Sequence, residues 1–121
     1  MARTLDKQNP ELTHALLELR RAARANDAPI WGAVADRLER GRHQVLPVNV
    51  GHLERAAGSD AAIVVPGKLL SEGSLSRPIT VAAFACSKSA RAKVHAAGGK
   101  VLTIHEMLKW RPDGVGVRIV A

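Results

Sequence analysis

Past Gly58-Ser59-Asp60 the chain alternates between short β-prone runs and helical stretches, and this alternation limits the fold more than any other feature. The β-prone runs are Ile63-Val64-Val65, Ile79-Thr80-Val81-Ala82-Ala83-Phe84, Lys100-Val101-Leu102 and Val117-Arg118-Ile119-Val120. Between them, Ser87 stands as the cap of a helix reaching about Ala97, closed by Gly98-Gly99. Thr103 and Glu106 have the spacing of a capping box, which predicts a last helix carrying Ile104, Met107 and Leu108. Pro112-Asp113-Gly114 stops it. Strands and helices in alternation predict an α/β layered fold.

The first half reads differently. Asn9, Pro10 and Glu11 supply a capping amide, a first-turn proline and an acid at the positive end of a helix. Leu12, Ala15, Leu16, Leu19 and Ala23 then recur at helical spacing. Asn26-Asp27-Ala28-Pro29 breaks that helix, and a second carries Trp31, Val34, Ala35 and Leu38 before Gly41. The expectation is one domain over residues 1–121, mainly helical over 1–60 and alternating strand and helix over 61–121. Each half is too small to fold alone.

Charge narrows the partner. The chain has a formal net charge of +7, and residues 61–121 hold nine Lys or Arg against three Asp or Glu. A basic surface on a globular domain points to a polyanion, and nucleic acid is the commonest. Cys86 is the only cysteine, so the chain has no internal disulfide and a reducing, intracellular, cytoplasmic setting is expected. No apolar run is long enough to cross a membrane, so no membrane partner is expected.

The cations fall in sets. Arg20, Arg21 and Arg24 crowd the end of the first helix, where they either follow a phosphate track or simply complement the helix dipole. Arg40, Arg42 and His43 form a basic knot around Gly41, where a glycine lets backbone approach a ligand and arginine binds phosphate through two donors. The knot leads into the apolar run Val45-Leu46-Pro47-Val48, which turns into a short helix at Asn49 with His52 in its first turn. Val65-Pro66-Gly67-Lys68 reads as a strand ending in a tight turn, which leaves Lys68 either on a phosphate or merely solvated. Lys88, Arg91 and His95 share one helical face, and Lys100 follows the Gly98-Gly99 turn.

Catalysis finds little support in these residues. The histidines at 14, 43, 52, 95 and 105 lack metal-site spacing, so no metal or cofactor is expected. Cys86 ends an apolar run and reads as a small core residue, with a Cys86–histidine nucleophile as the rival. Trp31, Trp110 and Phe84 are the only aromatic residues and are expected mostly in the core, which favours recognition of RNA backbone and shape over base stacking.

The ordered set Asn9-Pro10, Trp31-Gly32, Leu38-Glu39-Arg40, Val48-Asn49-Val50-Gly51, Val64-Val65-Pro66-Gly67-Lys68, Ile79-Thr80-Val81-Ala82 and Val117-Arg118-Ile119 resembles the "eighteen-e" family of archaeal and eukaryotic large-subunit ribosomal proteins. That family is kin to bacterial large-subunit protein fifteen. The resemblance covers nearly the whole chain, and the compact length is closer to archaeal members. It implies an irregular β-β-α superhelix-like α/β core and no catalysis or cofactor. It also implies a structural role in the large subunit, bound to large-subunit ribosomal RNA beside neighbouring ribosomal proteins. His43 and His52 stand where relatives tend to carry arginine, and Gly41 where some have proline; a neutral imidazole donates one hydrogen bond without a fixed charge. The expected RNA-binding set is therefore Arg20, Arg21, Arg24, Arg40, Arg42, His43, Asn49, His52, Lys68, Lys88, Arg91 and Lys100. A free RNA-binding regulator or assembly factor is the alternative.

Overall fold

The computed structural model describes residues 10–41, 47–57 and 62–120. Asn9, Arg42, His43 and the Arg40 side chain lie outside the described part, so the expectations placed on them are not addressed by it. The elements in chain order are α1 (Pro10–Ala25), α2 (Pro29–Gly41), β1 (Val48–Asn49), α3 (Val50–Ala56), β2 (Ala62–Leu70), β3 (Thr80–Cys86), α4 (Lys88–Ala96), β4 (Lys100–Leu102), α5 (Ile104–Trp110) and β5 (Val117–Ile119). This is the expected α/β architecture, helical first and alternating later.

Among the described residues the strands form one five-stranded sheet in which every pairing is parallel. β2 and β3 form its centre, with β4 beyond β3. The other side of β2 is shared: β5 pairs with its first half from Ala62, and β1 pairs with Leu69 and Leu70. Parallel neighbours need crossover connections: α3 leads from β1 to β2, α4 from β3 to β4 and α5 from β4 to β5, while the segment 71–79 joins β2 to β3 without a helix.

Side chains on a strand alternate between faces, and the core divides accordingly. Ile63, Val65, Val81 and Ala83 pack under α3 and α4 with Leu53, Ala90 and Val94. Val64 and Ala82 pack on the other face with Leu16, Leu19, Trp31, Val34, Ile104 and Met107 from α1, α2 and α5. Both faces are covered, which is why the strands read as nearly continuous apolar runs.

Two local expectations need correction. Val65-Pro66-Gly67-Lys68 does not end the strand in a turn; β2 runs through it to Leu70, with a register shift between Val65 and Lys68. Val65 faces Ala83 and Lys68 faces Ala85, so β2 carries one extra residue there, a β-bulge. On the other side Pro66 falls between the segment paired with β5 and the segment paired with β1, where its missing N–H disrupts no ladder. Arg40, expected in a loop, belongs to the last turn of α2, because the helix continues through Gly41.

Candidate nucleic-acid interface

In a parallel sheet the segments that follow the strands collect at the carboxyl edge. Here they are the start of α3, the loop of residues 71–79, and the starts of α4 and α5. Asn49, His52, Lys68, Lys88 and Arg91 all lie in or beside these segments. Lys68, Lys88 and Arg91 are exposed, and His52 is half-buried.

The loop after β2 is tied down at several points. Asn49, which precedes α3 in extended conformation, makes no cap bond; its Oδ1 instead accepts the Glu72 N–H at 3.2 Å. The Gly51 N–H donates to the Glu72 carbonyl at 2.9 Å. Gly73 has φ +93, and a Cβ there would lie 2.6 Å from the Gly51 Cα, so only glycine fits this crossing without displacing backbone. Lys93 Nζ donates to the carbonyls of Ser71 and Gly73, both at 2.6 Å. The result is an open polar cleft of about 450 Å³ lined by Asn49, Gly51, His52, Arg55, Glu72 and Gly73.

The outer half of the same loop is held from α3. Glu54 accepts from the Ser76 N–H at 3.0 Å and from its hydroxyl at 2.8 Å, and Arg77 donates to the Glu54 carbonyl at 3.0 Å. The Ser76 backbone bond and then its hydroxyl hold the Glu54 carboxyl below the usual carboxylate range, with the Arg77 charge assisting and desolvation opposing. At the end of β3, burial pushes the Cys86 thiol above its ordinary value, only partly offset by Arg91. That is the reverse of what an activated nucleophile needs.

α4 begins at this edge. Ser87 accepts from the Ala90 N–H at 3.1 Å, as its capping role predicts, and its own N–H donates to the Leu69 carbonyl. Ala90 and Val94 face the core, which turns Lys88, Arg91 and His95 to solvent.

The remaining expected cations are elsewhere. Lys100 pairs with Thr80 at the beginning of β3, so it stands at the amino edge, across the sheet from Lys88 and Arg91. Arg21 and Arg24 are exposed near the end of α1. Arg20, on the same helix, turns to α2 and bonds Asp36 at 3.2 Å and Glu39 at 2.8 Å. Arg55, absent from the expected set, lines the cleft one helical turn after His52, and that spacing was a usable signal.

A second hollow, about 340 Å³ and mainly apolar, lies between α1 and the start of α5. Glu18 at its rim contacts both His14 and His105 and so ties the two helices. Among the described residues no group of three metal-ligating side chains is placed to hold an ion. No described helix is long and apolar enough to cross a membrane.

Residues 33–102 match the family model described as "Ribosomal proteins 50S-L15, 50S-L18e" together with their 60S counterpart. A relative from Methanoregula boonei, named large ribosomal subunit protein eL18, is 41% identical over 120 residues, covering 99% of each chain. Relatives of the same name from Pyrobaculum aerophilum and Methanopyrus kandleri are 50% and 42% identical, each aligned over 93% of this chain and 92% of its own length.

Proposed function

From the premise that the chain belongs to this family of large-subunit ribosomal proteins, we propose that it is a structural protein of the large ribosomal subunit that grips folded ribosomal RNA through backbone phosphates. The family is one of ribosomal structural proteins, and the chain is not an enzyme. Its place of work is then the cytoplasmic ribosome, beside neighbouring large-subunit proteins.

One observation carries the RNA reading: His52, Arg55, Lys68, Lys88 and Arg91, spread over 40 positions of sequence, come to one edge of one sheet. Phosphates repeat along a folded RNA strand, and cations fixed on a rigid edge match them in register without reading bases. The tied loop beneath them keeps that geometry in the free protein, which lowers the ordering cost of binding. Arg21, Arg24 and Lys100 add charge on other surfaces, and Arg40, Arg42 and His43 belong to the same proposed set. Asn49 contributes by holding the loop.

The test is equilibrium binding of large-subunit ribosomal RNA across salt. If about 6–10 phosphates are engaged as on duplex DNA, affinity falls roughly 10³–10⁵-fold between about 50 and 200 mM salt. Replacing Lys88 and Arg91 together by Ala weakens binding and flattens the log–log slope by about one to two units. A slope unchanged by the double replacement would remove the carboxyl edge as the binding surface.

A further inference from the structure

The amino edge carries a feature that phosphate binding alone does not explain. Trp110, the last residue of α5, is 44% exposed, whereas Trp31 is fully buried and Phe84 is half-buried. Two of the three rings belong to the core as expected, and Trp110 is the exception. The Arg111 guanidinium lies 4.3 Å from the centroid of its ring, and Arg111 Nη1 donates to the Val115 carbonyl at 3.0 Å.

The exposure does not come from a loose end. The Arg111 N–H bonds the Met107 carbonyl at 2.8 Å, and the Gly114 N–H bonds the Arg111 carbonyl at 2.9 Å. Trp31 Nε1 donates to the Pro112 carbonyl at 2.8 Å, which fastens the turn to the start of α2. Gly114, at φ +72, sits where a Cβ would meet Ile30 at 2.4 Å. A large ring is thus presented on a fixed turn, beside Lys109 and Arg111.

We propose that Trp110 and Arg111 form a stacking platform for an unpaired base of the ribosomal RNA, a second contact distinct from the phosphate-gripping carboxyl edge. The proposal rests on the RNA-binding reading above. Charge selects the occupant: an apolar protein groove covering Trp110 would bury the neighbouring Lys109 and Arg111, whereas RNA supplies a π-face for the indole and phosphates for the cations. Every base has such a face, so the platform adds affinity and positions an RNA strand with little sequence preference.

The test compares the parent, Trp110→Ala, Trp110→Phe and the Lys88→Ala/Arg91→Ala double variant for RNA affinity across salt. Stacking losses per base convert to a drop of about 5- to 140-fold for Trp110→Ala. The log–log salt slope should stay unchanged, thermal stability should remain close to the parent's, and Trp110→Phe should recover most of the affinity. Binding of the RNA should quench indole fluorescence in the parent and leave it unchanged in Trp110→Phe, where only the buried Trp31 remains. If Trp110→Ala binds like the parent while the double variant binds weakly, the platform is refuted and RNA binding through the carboxyl edge stands. A parent that does not bind the RNA at all overturns the functional reading and the platform with it.

Discussion

Replacing Trp31 by Ala tests the packing of the helical first half onto the sheet. Trp31 is fully buried and shares the inner stripe of α2 with Val34, Ala35 and Leu38, against Val64 and Ala82 of the sheet. Removing the indole costs the transfer energy of the lost ring and leaves a cavity, together about 3–5 kcal/mol for a buried large aromatic. The lost Nε1 bond to the Pro112 carbonyl is the smaller contribution, about 1 kcal/mol for a typical hydrogen bond. The cavity should fill poorly, since Gly114, which stands against the indole, has no side chain to move into it. We therefore expect a loss of about 4 kcal/mol, against a total near 6–18 kcal/mol for a domain of this size. The melting temperature should fall by about 15 °C, followed by far-UV circular dichroism, with urea titration giving the free energy. Trp31→Phe, which keeps most of the volume, should lose less than half as much. A Trp31→Ala protein within about 1 kcal/mol of the parent would refute the packing argument.

Two further outcomes follow from the titrating groups. The Glu54 carboxyl titrates below its ordinary value when folded, so its contribution is present above the unfolded carboxylate pKa and is lost as pH falls through the lowered folded one. Acid should release the Ser76 amide to hydrogen exchange before global unfolding, and Glu54→Gln should abolish that pH dependence; the same acid-induced exchange in both proteins would sink the assignment. The Cys86 thiol is raised when folded, so its contribution is present below the unfolded thiol pKa and is lost as pH rises through the raised one. Iodoacetamide near pH 8 should therefore label native Cys86 more slowly than urea-unfolded protein, and faster native labelling would mean that Arg91, not burial, governs the thiol.

What was legible in the sequence shares a length scale. The Thr103–Glu106 capping box closes within three residues, with the Glu106 N–H donating to Thr103 Oγ1 at 3.1 Å and the Thr103 N–H donating to Glu106 Oε1 at 2.8 Å. Ser87 caps α4 over the same span, and the stripe of α1 buries Leu12, Ala15, Leu16 and Leu19 as its period requires. Local rules and the fold agree at these places, as they do in sequences that fold reliably.

The misread positions depend on partners far away in sequence. Proline followed by glycine has the same local chemistry in a turn and in a bulge; only the sharing of the β2 edge between β5 and β1 decides between them. Helical spacing set Arg20 beside Arg24, but its ion partners are 16 and 19 residues away on α2. Trp110 follows Met107 by three residues yet is exposed, because α5 ends there and the chain turns back through Arg111. The bonds that shape the two candidate surfaces are longer still: Asn49 to Glu72 spans 23 residues, and Trp31 to Pro112 spans 81. Cation identity was readable residue by residue, but its grouping was not. A parallel sheet sends the start of every crossover to one edge and its return to the other, which separates Lys88 and Arg91 from Lys100 although only 9 positions divide Arg91 from Lys100. The same winding brings Trp110 to the amino edge, so a chain with few rings presents one of them on the side opposite the cations of its carboxyl edge.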